Sequence, residues 1–168
     1  LFESEEKTAV AVALETIPEQ RFLELCAALG APELIITANR ARAVMSGAAA
    51  AVVTDDPVRI LPPEGASFDW YKSIVDPQHP KANSLKGPLH LLRKGQDLIQ
   101  RAALNLVKSA ELLPAAALFS VPSEADVAGL PYATLTATEA LEELARAPTY
   151  TPVANAFLPI EAHDITDL

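Results

Sequence analysis

The residues of this chain that could do chemistry together are few, and the strongest group is a set of carboxylates near its start. Glu3, Glu5 and Glu6 precede an apolar stretch that predicts a strand. Carboxylate oxygens are the ligands that Mg²⁺ prefers, so acidic residues clustered at the start of a strand form a candidate magnesium site. The competing interpretation is a solvated surface, which is the usual place for glutamates.

Two further carboxylate pairs predict structure rather than chemistry. Asp55 and Asp56 directly precede a proline, which is typical of a turn. Glu142 and Glu143 fall on the polar side of a predicted helix, where we expect both side chains to be solvated. Neither pair is assigned a catalytic or binding role.

The histidines and the cysteine show no recognisable site spacing. His79, His90 and His163 occur in no HExxH, HxH or cysteine-paired pattern, so spacing gives no support to a zinc site and solvated loop histidines are expected. Cys26 lies on the apolar side of a predicted helix, which favours a buried and unreactive thiol. A single cysteine excludes a disulfide within the chain and predicts a reducing, cytoplasmic location.

Motifs for nucleotide binding and for serine hydrolases are missing from the sequence. The six glycines are isolated from one another, so there is neither a GxGxxG fingerprint nor a phosphate-binding loop. There is also no GxSxG nucleophile elbow. The residues alone therefore give no complete catalytic set, and no catalytic, cofactor-binding or metal-binding side chain is assigned.

Composition predicts one ordinary folded domain. The chain has 168 residues, of which 50% are hydrophobic and 21% are charged, which is enough apolar material for a core. A net charge of −9 excludes a broad basic surface for nucleic acid. No apolar run approaches the roughly 20 residues that cross a membrane, so neither nucleic acid nor membrane is expected as a partner.

Short apolar stretches alternate with helical patterns in the first half of the chain. Residues 8–14 predict a buried strand, and Thr16 with Glu19 has the spacing of a capping box at the start of a helix. The apolar face of that helix is predicted from helical spacing at Phe22, Leu25, Cys26 and Leu29. Gly30 is expected to end it. Further strands are predicted over residues 34–37, 48–53 and 58–61, with a short helix over 38–45.

The second half continues the alternation after an irregular stretch. Residues 62–83 predict either a long loop or a loop that contains a short helix near 69–75. A helix of about four turns follows, with an apolar face predicted from helical spacing at Leu98, Ile99, Ala102, Ala103, Leu106, Val107 and Ala110. Pro114 is expected to end it.

Two strands and one more helix complete the predicted elements. Strands are predicted over residues 115–121 and 134–136. Thr136 and Glu139 have capping-box spacing before a helix that ends ahead of Pro148. Strands alternating with helices predict an α/β or α+β layered domain, with a mixed β-sheet flanked by helices.

Three stretches together resemble the 3,4-dihydroxy-2-butanone 4-phosphate synthase family of riboflavin biosynthesis. ESEEKTAVAVALETIPEQRFLEL, residues 3–25, is similar to the family's acidic loop, strand and helix, with Ala13, Leu14 and Glu15 at the strand end. ELIITANRARAVM, residues 33–45, resembles a strand followed by a helix start. RKGQDLIQRAALNLVKSAELLPAAAL, residues 93–118, resembles the motif helix and the buried strand after it. The resemblance implies a synthase-like fold over residues 1–148.

The positions that carry the family's chemistry depart from its pattern. The resemblance implies Mg²⁺ bound by a glutamate of the acidic loop and a histidine of the motif helix. Glu5 could still supply a carboxylate, but Lys7 and Ala9 stand where the family has acidic residues. The histidine position falls at or near Ile99 when counted from Pro114, and on Gln96 when aligned on Arg93 and Gly95. The family's Gly-Ile-Ser-Ala-x-Asp-Arg segment has no counterpart between Met45 and Asp76. Loss of these groups predicts loss of metal binding and of acid–base chemistry.

The end of the chain resembles a linker that leads to another domain. AFLPIEAHDITDL, residues 156–168, is similar to the segment ahead of the catalytic domain in bacterial GTP cyclohydrolase II proteins that carry a degenerate synthase-like domain. Residues 149–168 are therefore expected to be a linker toward a C-terminal cyclohydrolase domain. That domain would hold zinc, and Mg²⁺ is expected in this chain only if the synthase site is active.

Three functions remain open from the sequence. The favoured one is a non-catalytic domain coupled to GTP cyclohydrolase II, which serves dimerisation, stability or regulation; the resemblance implies a homodimer. The second is a divergent, active, Mg²⁺-dependent synthase that acts on ribulose 5-phosphate through Glu5, Glu6 and His90. The third is an unrelated acidic interaction module.

Overall fold

The computed structural model describes residues 2–4, 7–45, 57–79, 89–92, 98–121 and 133–146. Within these ranges there are seven strands and five helices. The strands are β1 (Phe2–Ser4), β2 (Lys7–Ala13), β3 (Glu33–Ile36), β4 (Val58–Leu61), β5 (His90–Leu91), β6 (Ala115–Val121) and β7 (Leu135–Thr136). The helices are α1 (Glu19–Leu29), α2 (Ala38–Val44), α3 (Phe68–Val75), α4 (Leu98–Ser109) and α5 (Ala137–Ala145).

The strands form one mixed sheet in the order β5-β4-β3-β6-β2-β1-β7. Neighbouring strands are antiparallel, except that β1 and β7 run parallel. β6 is the central strand and pairs with β3 on one side and β2 on the other. The predicted mixed sheet is thus confirmed, and its centre is built from the two longest strands.

Helices cover both faces of this sheet. Because side chains alternate along a strand, Leu34 and Ile36 enter one apolar cluster with α1, α2 and α3, whereas Ile35 enters a second cluster with α4 and α5. Ala116 and Ala117 divide in the same way on β6. Burial on both faces explains why these strands are continuous apolar runs, and it confirms the predicted α+β layered class.

Aromatic side chains fill the larger cluster. The Phe22 ring centroid lies 5.0 Å from those of Phe68 and Tyr71 and 5.8 Å from that of Phe119, at tilted or edge-on angles that aromatic pairs favour. The Tyr71 hydroxyl donates a hydrogen bond to the Pro32 carbonyl at 3.0 Å. Burial raises the pKa of Tyr71, so this side chain remains a neutral donor.

The capping box predicted at Thr16 and Glu19 is wrong. The N-cap of α1 is Pro18, which has no side-chain capping bond, and the first helical bond runs from the Phe22 amide to the Pro18 carbonyl. Thr16 instead lies in the turn that follows β2, where the Ile17 amide donates to the Ala13 carbonyl. Because this turn follows β2 directly, the N-cap lies at Pro18, two residues after the predicted Thr16.

The rest of α1 follows the prediction. Its less exposed residues are the four of the predicted stripe together with Arg21. Gly30 ends the helix with φ of 85°, a conformation that glycine adopts without steric cost. The short helix expected near residues 69–75 is confirmed as α3, and its start is capped by Ser67, whose hydroxyl accepts from the Trp70 amide.

The helix α4 ends before the predicted stop at Pro114. The Glu111 amide donates to the Lys108 carbonyl and the Leu112 amide to the Val107 carbonyl, and Glu111 has φ of 57°. This pair of bonds around a left-handed residue is a Schellman motif, and Leu112 packs in the same cluster as Val107. A local hydrogen-bonding motif, rather than the proline, ends the helix.

The remaining predicted elements agree closely with expectation, whereas β1, which contains Glu3, and β5 were not predicted. β4 and β6 have the predicted bounds, β7 is shorter by one residue, and the capping box of Thr136 and Glu139 is present at the start of α5. The strand predicted over 48–53, the Asp55–Asp56 turn and the linker over 149–168 lie outside the described residues. Among the described helices none is long and apolar enough to cross a membrane.

Candidate functional site

The candidate site begins at the connection between β1 and β2. Ser4 pairs with Lys7 across the two antiparallel strands, and Glu5 and Glu6 are the two residues between them in sequence. Both glutamates, and the side chain of Glu3, lie outside the described part of the structure. Their role as metal ligands stays a prediction.

The topology brings other elements to the same end of the sheet. The last residue of β6, Val121, pairs with Thr8 near the start of β2, and Thr136 at the end of β7 pairs with Glu3. The five residues 110–114 reverse the chain from α4 into β6, so α4 starts toward the end of the sheet where β6 finishes. The β1–β2 connection and the start of α4 are therefore placed at one end.

The first turn of α4 presents an apolar side chain where the resemblance implies a histidine. Ile99 is 3% exposed and belongs to the second apolar cluster with α5 and the sheet. A side chain at this position is held among carbon atoms, which is unfavourable for a metal ligand. The alternative position, Gln96, lies outside the described residues.

Gln100, the next residue, was not singled out by sequence reasoning. Its side chain is 4% exposed, and its Oε1 atom has no hydrogen-bond partner in the described part of the chain. A buried amide oxygen without a partner costs about 1–3 kcal/mol. The buried face of α4 is wider than one stripe, because the helix packs against both the sheet and α5. Sequence reasoning did not include this second contact.

The observed buried face of α4 differs accordingly from the predicted one. Leu98 was expected to be buried and is 44% exposed, and Ala110 is also exposed. Leu104, which was outside the predicted stripe, is 1% exposed. Contact with α5 on one side rotates the buried face away from Leu98 and toward Gln100 and Leu104.

The histidines are not brought together. His90 is exposed on β5, four strand spacings from β2 in the sheet order, which corresponds to about 19 Å. His79 is half-buried beyond α3, with its Nε2 3.7 Å from the Asp69 carboxylate. His163 lies outside the described residues. The sheet order therefore does not support a shared metal site between His90 and the acidic residues that follow β1.

The residues that carry the resemblance near β2 have structural contacts. The Glu15 carboxylate accepts a hydrogen bond from the Leu113 amide, which ties the end of β2 to the start of β6. Lys72 of α3 donates to the carbonyl oxygens of Leu14 at 3.1 Å and Glu15 at 3.3 Å. This corner holds α3 against the sheet.

The second matching stretch also contributes packing. Arg40 Nε donates to the Ile74 carbonyl at 2.6 Å and so joins α2 to the end of α3. Burial lowers the pKa of Arg40, while the negative charge of Asp76 opposes that change. Ala41 is fully buried in the first apolar cluster. The side chains matched here connect helices.

The remaining candidate chemistry is weak among the described residues. Among the described residues, no three His, Cys, Asp or Glu side chains lie close enough together to hold a metal ion. Cys26 is half-buried, and burial raises the pKa of its thiol, which disfavours the reactive thiolate. An open groove of about 370 Å³ lies between α4 and α5.

No family model, curated protein or solved structure matches this chain.

Proposed function

We propose that the chain is a non-catalytic, synthase-like domain of a cytoplasmic riboflavin-biosynthesis GTP cyclohydrolase II protein, retained for dimerisation, stability or regulation. The observation that carries the proposal is the first turn of α4. Counted back from Pro114, the position where the resemblance implies a metal-binding histidine falls at Ile99, which is 3% exposed within an apolar cluster. The Ile99 side chain packs in the core and has no atom that could bind a metal ion.

The placement of the elements supports a retained scaffold. The acidic connection after β1 and the start of α4, which the resemblance assigns to one site, are brought to the same end of the sheet. Glu15, Lys72 and Arg40 in the matching stretches connect strands and helices. The proposal joins these two facts: the framework is kept and the side chains that did the chemistry are replaced.

The direct test is release of formate from ribulose 5-phosphate in the presence of Mg²⁺ by the purified chain. We expect formate at the background rate of a protein-free control, from a sample whose circular dichroism shows a folded protein. Glu5→Ala serves as the matched variant and should give the same background rate. Formate above background that is lost in Glu5→Ala would overturn the proposal and favour a divergent active synthase.

A further inference from the structure

The outer surface of α4 and α5 has the composition of a contact surface. These two helices lie side by side on one face of the sheet, with the open groove between them. The groove is lined by Arg101, Asn105, Ser109, Leu141, Leu144 and Ala145. We call this surface, together with Leu98, the α4–α5 face.

The apolar part of the α4–α5 face continues beyond the groove. Leu98 is 44% exposed and is one of three exposed large apolar side chains in the described part of the chain. It lies on the same side of α4 as Asn105 and Ser109, about two and three turns later. Leu141 and Leu144 are half-buried on the α5 side. Covering these leucines with another surface would be favourable, because it would remove apolar area from water.

The two helices carry opposite charges: Arg101 lines the groove, and Glu142 lies three residues before Ala145, which also lines it. Arg101 of α4 and Glu142 of α5 are exposed. Within the described ranges neither side chain takes part in a hydrogen bond or an ion pair. Arg101 and Glu142 thus have no polar partner among the described residues.

We propose that the α4–α5 face binds a second copy of this chain. A two-fold axis that runs along the groove sets α4 of each copy against α5 of the other, which forms a layer of four helices. The same operation places Arg101 of each copy opposite the partner's Glu142, so the face is complementary to itself in charge. Leu98, Leu141 and Leu144 then lie in the covered centre.

This inference rests on the dimerisation role proposed above and names the surface that performs it. Two short helices give a small interface, and each copy carries a net charge of −9, so the dimer should dissociate on dilution. Sedimentation velocity over a concentration series measures this directly. The wild-type chain should shift from monomer to dimer as its concentration rises.

Charge reversal tests the predicted pairing. In a dimer of Arg101→Glu the introduced carboxylate faces the partner's Glu142 twice, and in a dimer of Glu142→Arg two cations face each other twice. Each variant alone should dimerise about tenfold more weakly, because two exposed attractions become repulsions. Arg21→Glu on α1, which lies on the opposite side of the sheet, is the matched control for net charge and should have a much smaller effect.

Mixing the two variants separates pairing from misfolding. An equimolar mixture of Arg101→Glu and Glu142→Arg should form a heterodimer at least as strong as the wild-type dimer, since both cross contacts then join opposite charges. Weakened single variants with no recovery on mixing would overturn the proposed pairing. A wild-type dimer that neither variant affects would place the interface elsewhere and leave the dimerisation role standing. A wild-type chain that stays monomeric throughout would overturn both, while the formate assay would still decide whether the domain is catalytic.

Discussion

Ile99 and Gln100 are neighbours in the first turn of α4, and both side chains are buried although only one is apolar. Ile99 contributes to the cluster between the sheet and α5, whereas the Gln100 amide oxygen has no partner in the described part of the chain. The two residues therefore have opposite energetic effects: burial of Ile99 stabilises the fold, and burial of Gln100 costs free energy. Substitutions at these positions test whether this turn retains any chemistry.

Replacing Ile99 with histidine should not restore formate release. The imidazole would enter an apolar cluster, so we expect Ile99→His to lower the free energy of unfolding by about 3 kcal/mol. Urea denaturation measures this loss. Leu23→His is the matched control, because Leu23 is 51% exposed on α1 and the same substitution there should change stability little. Formate production by Ile99→His would show that this turn still faces a working site.

Replacing Gln100 with methionine should stabilise the protein. Methionine has a similar length and helix propensity and removes the unpaired oxygen, so we expect the free energy of unfolding to rise by about 1 kcal/mol. Gln20→Met on the exposed side of α1 is the control for the change of residue type. A loss of stability in Gln100→Met would indicate that the amide makes an important polar contact.

At the scale of elements, the ends of helices separate what the sequence could predict from what it could not. Thr136 and Glu139 form the capping box that their spacing predicts, because Thr136 is the last residue of β7 and leads directly into the helix. Thr16 and Glu19 have the same spacing, but the turn after β2 occupies Thr16 and the helix begins later. A capping-box pattern therefore predicts the start of a helix only where the capping residue is not already part of a turn after the preceding strand.

The buried face of α4 shows a second limit of sequence reasoning. Helical periodicity places one stripe against one surface, whereas α4 contacts both the sheet and α5. Which residues are added to the stripe depends on where the second helix lies, and that position is a property of the tertiary structure. Helical spacing does not include the contact with α5, and for that reason it did not predict the exposure of Leu98 or the burial of Gln100. For the candidate site, helical spacing was sufficient to predict that Ile99 is buried, whereas the burial of Gln100 could not be predicted from that spacing.

The capping box of α5 should make its contribution to stability depend on pH. Hydrogen bonds from the Thr136 hydroxyl, at 2.7 Å, and the Thr136 amide, at 3.2 Å, lower the pKa of Glu139 in the folded state. A depressed pKa means that this contribution is fully present above the ordinary pKa of glutamate and is lost as pH falls through the lower folded-state value. Urea denaturation at neutral and at acid pH tests this.

The variant Thr136→Ala removes both the cap and the hydroxyl bond to Glu139. At neutral pH we expect it to lower the free energy of unfolding by about 1 kcal/mol, and at acid pH by less. Thr138→Ala, in the first turn of the same helix, is the control and should have little effect at either pH. A cost of Thr136→Ala that does not diminish in acid would show that the glutamate takes no part in the cap.

At the scale of the whole molecule, the sheet is protected at its centre by strands on both sides and helices on both faces. β6 pairs with β2 and β3 along most of its length, and its side chains enter both apolar clusters. β5 is a two-residue strand at one end of the described sheet. Local opening needs few broken contacts at β5, whereas exposing β6 requires separation of the sheet from its helices.

Amide hydrogen exchange should follow this order. The Leu92 amide donates to the Arg59 carbonyl at 3.0 Å, so it is hydrogen-bonded, yet we expect it to exchange much faster than the Leu118 amide. Both amides belong to leucines within or beside strands. A difference between their exchange rates therefore reports on position in the sheet rather than on whether the amide is hydrogen-bonded. Exchange resolved by nuclear magnetic resonance measures both rates in one sample. Equal protection of Leu92 and Leu118 would mean that the β5 edge is covered, and the sheet would then open only as a unit.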